Sequence, residues 1–272
     1  MALDAQQLKQ FEEDGYLFLP EVFTLAEMAF LKQEAQRIFE LQRPEIRREK
    51  SGAPRTAFGV HQYSEPFRLL SQDERLIRPL EQLFGERAYM HQFKINAMSA
   101  FLGDVWWWHQ DFPTWHREDG MPKPRAMNVA LYLDEVRHVN GPLMVVPKSH
   151  REGMFEPRYD AELVSHHGLY MTQENVRKVV DAGGIVAPVG KPGGLLMFHA
   201  NMVHGSSPNI SPYSRNIVYL TLNPVSNALE AGKQTRPDHI AHRDFTPLQA
   251  GPAHVLGDYV KNHAADAVAE TA

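Results

Sequence analysis

The chain has 272 residues, 43% of them hydrophobic, with 28 Lys and Arg against 33 Asp and Glu and a formal net charge of −5. That is ample material for one large core, while the scattered charge offers no basic face to nucleic acid and no apolar run approaches the roughly 18 residues of a membrane span. Cysteine is absent, which excludes disulfides, thiolate metal sites and cysteine nucleophiles, and the 14 histidines turn attention to metal.

The N-terminus, MALDAQQLKQFEEDGY, is acidic and polar where a signal peptide would be basic and then apolar, so a soluble, cytoplasmic protein is expected. Asp4 can cap a short helix through Glu13, ended by Gly15, and Tyr16–Pro20 reads as a strand. Thr24 and Glu27 form a capping box before a helix in which Leu25, Met28, Leu31, Ala35, Ile38 and Leu41 recur at helical spacing. Ser71 with Glu74 reads as a second box, ahead of a helix that Gly85 stops. Between them, residues 42–62 carry Arg47, Arg48, Lys50 and Arg55 among Gly and Pro. A solvated loop is expected there, a lid over an anionic cosubstrate being the sharper reading.

From about residue 88 the period changes to two, in short β-branched or aromatic runs separated by Gly, Pro and Asn turns. Helices followed by strands, without βαβ alternation, predict a mainly β protein with N-terminal helices, a jelly roll or barrel at its centre. No repeat or linker divides the chain. One domain is expected over 1–260, helical over 1–87 with the strand-built core at 88–225, and a flexible tail over 261–272.

In a strand, His109 and Asp111 would point to one face, as two ligands of a two-histidine, one-carboxylate site. The third would come from His199 or His204, with His204 favoured because it ends an apolar run. Three ligands on one face leave coordination positions open, which suits Fe(II) better than tetrahedral zinc. Arg215, eleven residues beyond His204, heads an apolar strand, a costly place for a cation unless it meets a carboxylate. Ser206 can add a hydroxyl hydrogen bond to the same anion. Trp107 and Trp108 are expected in the core, His116 at the surface, and Asp119–Pro122 as a turn. His61, His91, His150, His166 and His167 join no constellation.

His-x-Asp, a distal His and an Arg eleven residues later resemble the iron(II)/2-oxoglutarate dioxygenases of the phytanoyl-CoA dioxygenase superfamily. The segments WHQDFPTWHREDGMPKPRAM, NGPLMVVPKSH, HGSSPNISPYSRN, NPVSN, RDFTPL, REKSGAPRTAFGVH and HQFKIN are similar to those of ectoine hydroxylases. The resemblance implies a double-stranded β-helix, the cupin-like jelly roll, with Fe(II) on His109, Asp111 and His204. It implies 2-oxoglutarate as cosubstrate, its distal carboxylate on Arg215 and Ser206, with Lys94 and Asn96 helping to hold it and Trp106 beside the iron. Gln92, Trp115, Asn128, Phe198 and Tyr219 would line the substrate pocket. Dioxygen is the second cosubstrate, and a dimer is suggested.

Related halogenases replace the ligand carboxylate with a small residue; Asp111 is retained, so hydroxylation is implied. The departures concern the substrate. Ectoine hydroxylases carry small hydroxyl residues where this chain has Asn128 and Ala130, an asparagine at Ile217 and a phenylalanine at Tyr219, and Lys148 stands in the glycine position of a Gly-Ser-His segment. The expected reaction is hydroxylation of a small polar amino acid or cyclic amino-acid derivative. The rivals are the same chemistry on a larger acyl thioester or carrier-bound substrate, dealkylation or desaturation, and a jelly roll whose metal is structural.

Overall fold

The computed structural model describes residues 1–161 and 169–269. In chain order its elements are α1 (Ala5–Asp14), β1 (Tyr16–Leu19), α2 (Leu25–Glu40), β2 (Ile46–Arg48), β3 (Pro54–Phe58), α3 (Glu65–Ser71), α4 (Glu74–Phe84), β4 (Ala88–Met98), β5 (Trp106–His109), the single turn α5 (Phe112–Thr114), β6 (Met127–Tyr132), β7 (Leu143–Val145), β8 (Arg158–Tyr159), β9 (Leu169–Tyr170), α6 (Gln173–Gly183), β10 (Leu195–His199), β11 (His204–Ser206), β12 (Arg215–Pro224) and α7 (His254–Ala269). His166 and His167 lie outside the described residues.

Local chemistry sets the helix ends. Asp4 and Gln7 cap α1 reciprocally, as Thr24 and Glu27 cap α2, each satisfying amides that the first turn leaves unpaired. The box expected at Ser71 is not formed. Ser71 ends α3 and donates its hydroxyl to the Arg68 carbonyl, while Asp73 caps α4 and also pairs with Arg75. Residues 261–269, expected as tail, continue α7.

The strands form a jelly roll. A large antiparallel sheet runs β1-β10-β6-β12-β4-β3-β2 and faces a small sheet, β5-β11-β7. The N-terminal part therefore contributes three strands besides its helices, and residues 46–58 are an edge hairpin rather than a free loop. Alternation in the large sheet divides its residues between two cores. Phe93, Ile95, Val129, Leu131, Val218 and Leu220 face outward onto α2, α3 and α4, and each fully buried apolar side chain there contributes about 1.5–3 kcal/mol. Ala130, Tyr132, Ile217, Tyr219, Leu196 and Phe198 face inward toward the small sheet. Gln92, Lys94 and Asn96 alternate with Phe93 and Ile95, so these polar residues also face inward. Among the described residues, no helix is long and apolar enough to cross a membrane.

Candidate active site

The inner face of the roll is where the chemistry collects. His109 ends β5 and His204 begins β11, directly opposite one another in register. Asp111 lies past the end of β5, in helical backbone conformation at φ −77° and ψ −39°. The expectation of a strand running through Asp111 is thus corrected: a turn, not strand alternation, brings the carboxylate back beside His109. All three residues are buried, and their ligand atoms lie within 4.8 Å of one another. His109 Nε2 is 3.7 Å from Asp111 Oδ1, and His204 Nε2 is 3.7 Å from Asp111 Oδ2. Gly205 permits this approach, since a Cβ there would come within 2.9 Å of the Trp106 carbonyl oxygen.

Both imidazoles are prepared for a metal. His109 Nδ1 lies 2.6 Å from the Trp107 carbonyl and His204 Nδ1 lies 2.9 Å from that of Met202. A carbonyl only accepts, so each ring carries its proton on Nδ1 and leaves an Nε2 lone pair. Burial keeps both rings neutral, depressing His109 to about 3 and lowering His204 as well. Burial works against the Asp111 carboxylate, but His204, Lys94, His109 and an Asn128 hydrogen bond outweigh it and hold Asp111 below its ordinary value. Two neutral nitrogens and one carboxylate, all desolvated, are a donor set for a divalent ion.

Two narrow adjoining chambers open beside these residues, with cavity volumes of about 30 and 40 Å³. The first is lined by all three candidate ligands with Lys94, Asn96, Trp106, Phe198, Ser206, Arg215 and Tyr219. Arg215, 1% exposed, donates to the Gly141 carbonyl at 2.6 Å and to Ser206 Oγ at 3.4 Å. Its Nε is buried without a partner, an expensive orphan donor that a carboxylate would satisfy. Thr56 donates to Asn96 Oδ1 at 3.0 Å, leaving the Asn96 NH2 as the end available to a ligand. The lining of the first chamber is therefore complementary to a dicarboxylate, with the metal residues at one end and Arg215 at the other.

The second chamber shares Lys94, Asn96, Trp106 and Asp111 with the first and adds Gln92, Trp115, Thr56, Phe58 and the cations Arg47, Arg55 and Arg236. Arg55 is neutralised by Glu49 at 2.6 Å and lies 4.0 Å above the Trp106 ring, fixing that indole between the chambers. Arg236 makes a two-pronged ion pair with Asp119, Nε donating to Oδ1 at 2.7 Å and Nη2 to Oδ2. Burial pulls Lys94 below its ordinary value; Asp111 opposes this, and Arg236 and Arg47 add to it. Gln92 donates to the Ile240 carbonyl at 2.8 Å, and its Oε1 is buried with no partner.

The expected pocket residues divide unevenly. Gln92 and Trp115 line the second chamber, whereas Phe198 and Tyr219 line the first, on the Arg215 side. Asn128 borders neither chamber and bonds Asp111 instead. His199 is not among the clustered ligands; it lies against His150, ring centres 5.3 Å apart. Trp107, expected in the core, is 43% exposed. Sequence reasoning missed Arg236, an isolated cation in a polar loop with no periodic signal. It also passed over Asp119, which is fully buried in a five-residue π turn, Trp115–Asp119, and not in a simple surface turn.

Comparison with known proteins agrees with this architecture. Residues 11–217 match phytanoyl-CoA dioxygenase. An ectoine dioxygenase of Sphingopyxis alaskensis is 36% identical over 255 residues, covering 89% of this chain and 83% of that protein. An ectoine dioxygenase of Bordetella bronchiseptica is 37% identical over 258 residues, with the same two coverages, 89% and 83%. The crystal structure of EctD from S. alaskensis with 2-oxoglutarate and 5-hydroxyectoine superposes with a TM-score of 0.82 at 34% identity, covering 92% of this chain and 88% of that one. The chain is a non-haem dioxygenase that uses iron, 2-oxoglutarate and dioxygen, and it belongs to the phytanoyl-CoA dioxygenase family.

Proposed function

We propose that the enzyme hydroxylates an unactivated C–H of a small, carboxylate-bearing amino acid or cyclic amino-acid derivative of the ectoine kind, with His109, Asp111 and His204 as the iron ligands. The observation that carries this reading is the lining of the second chamber. Arg47, beside the Asp119-paired Arg236, supplies positive charge for a carboxylate, Gln92 Oε1 awaits an N–H donor, and Trp115 offers an aromatic face to a cationic or delocalised group. These are the complements of a small zwitterion. The ectoine dioxygenase relatives support the same substrate class.

Bound iron, with 2-oxoglutarate and dioxygen, supplies an oxidant for hydroxylation and releases succinate and carbon dioxide. The protein orients and shields. Arg215 and Ser206 hold the distal carboxylate of the cosubstrate, and Lys94 and Asn96 line the path between that carboxylate and the metal ligands. Trp106, fixed by Arg55, separates cosubstrate from substrate while leaving Asp111 in contact with both chambers. Trp115 and Phe58 exclude water from the substrate side.

The test is succinate formation from 2-oxoglutarate by iron-loaded protein, against a panel of small amino acids and cyclic derivatives that includes ectoine and proline. Turnover stimulated by one of these compounds and abolished in Asp111→Ala is the expected result. Slow turnover that no panel member stimulates would overturn the substrate class and direct the search to larger or tethered substrates.

A further inference from the structure

We infer that Asn128 is a positioning residue for the metal-binding carboxylate, holding Asp111 in the orientation that sets its two oxygens beside His109 and His204. This rests on His109, Asp111 and His204 being the ligands. Asn128 Nδ2 donates to Asp111 Oδ2 at 2.8 Å, and both side chains are buried. An ionised carboxylate only accepts, so the NH2 end of the amide must face it; the opposite orientation would set oxygen against oxygen. Thr221 secures that orientation. Its hydroxyl donates to Asn128 Oδ1 at 2.6 Å from the position directly opposite on β12.

The geometry gives this contact a particular use. His109 and His204 are each oriented by a carbonyl two residues earlier in their own segment. Asp111 sits on a turn beyond the small sheet, and its amide partner reaches it from β6 of the large sheet. The ligand set is thereby tied to both sheets. The amide hydrogen bond fixes the rotation of the carboxylate, so Asp111 would meet an ion already oriented beside His109 and His204.

Mn(II), which binds such sites without turnover, is the probe. Its affinity is measured by electron paramagnetic resonance titration of the full-length wild type and of His204→Ala, Asn128→Ala, Thr221→Val and the Asn128→Ala/Thr221→Val double variant. His204→Ala is expected to abolish binding, and Asn128→Ala to weaken it about 10–100-fold. Thr221→Val, which only frees the amide, is expected to weaken it about threefold, and the double variant to match Asn128→Ala within about twofold, because Thr221 acts through Asn128. Wild-type affinity in Asn128→Ala, or penalties that multiply in the double variant, overturns the inference alone. Wild-type affinity in His204→Ala overturns the ligand reading with it. If near-ultraviolet circular dichroism shows Asn128→Ala unfolded, Thr221→Val decides: unchanged affinity in that folded protein is the overturning result.

Discussion

Arg215 and Lys148 show how much a single backbone position can ask of a side chain. Arg215 heads β12 and is buried with Nε unpartnered, so its guanidinium is held ready for an anion. Truncating one partner of a buried, hydrogen-bonded charge pair typically costs about 2–5 kcal/mol. Arg215→Ala should therefore raise KM for 2-oxoglutarate by roughly thirtyfold or more. Mn(II) affinity should stay near wild type, because Arg215 touches none of the candidate ligands. Titration calorimetry of both ligands checks the split, and a parallel loss of metal would contradict it. Lys148 occupies the left-handed region at φ 67°, where glycine is unstrained. Its amide donates to the Asp14 carbonyl at 2.9 Å, so the strain serves the junction between α1 and the turn after β7. Lys148→Gly should stabilise the protein by roughly 0.5–1 kcal/mol, relief of left-handed strain exceeding the added chain entropy. A lower Tm in thermal unfolding would refute this.

The π turn at Trp115–Asp119 places Trp115 on the second chamber and Asp119 beneath Arg236. His91 Nε2 lies 3.2 Å from the same carboxylate, so one buried anion gathers β4, the turn and the loop after β12. Asp119→Ala would remove the two-pronged partner of buried Arg236 and leave it the more distant Glu118 carboxylate at 3.9 Å, a loss of about 3 kcal/mol in folding stability. KM for the substrate should rise more than KM for 2-oxoglutarate in whatever variant protein remains folded, and the reverse order in steady-state kinetics would exclude the role. This turn also marks where reading from sequence stops. Gln92, Lys94 and Asn96 were legible through the HQFKIN segment of the resemblance, and regular pairing of β4 with β12 from Gln92 to Met98 sets them on one face. His109 and Asp111 were legible by their spacing, yet for a different physical reason, the turn at Asp111 doing what a strand was expected to do. Asp119 and Arg236 are 117 residues apart, and nothing local to either announces the pairing. Asn128 was legible as a departure from ectoine hydroxylases, but its contact with Asp111 depends on how the two sheets face each other.

At the scale of the molecule, burial of several histidines sets the response to acid. His61 is depressed to about 3, and His199 and His242 to about 4, each because burial penalises the charged ring. The unfolded chain takes up these protons near pH 6.5, whereas the folded protein refuses them until pH 4 or below. Stability from this source is complete above pH 6.5 and declines as pH falls through that window. Calorimetry of the metal-free protein should show a Tm that is flat above about pH 7 and falls steadily toward pH 4, and His242→Gln should reduce the slope. A Tm independent of pH across the window would refute the assignment.

The double-faced large sheet has a further consequence for how such an enzyme changes its substrate. Val129, Leu131, Val218 and Leu220 belong to the helix-backed core, while Asn128, Ala130, Ile217 and Tyr219 alternate with them on the inner side, Tyr219 directly opposite Ala130. The four strand positions named as departures from ectoine hydroxylases, Asn128, Ala130, Ile217 and Tyr219, are all inward ones, while Lys148 lies in the turn after β7. Period-two alternation thus divides the same strands into two ledges, one packed against the helices and one turned toward the small sheet and the metal residues. A change on the inner ledge leaves the helix-backed packing of the same strands untouched, so the surroundings of the metal residues can be altered while one of the two cores is kept whole.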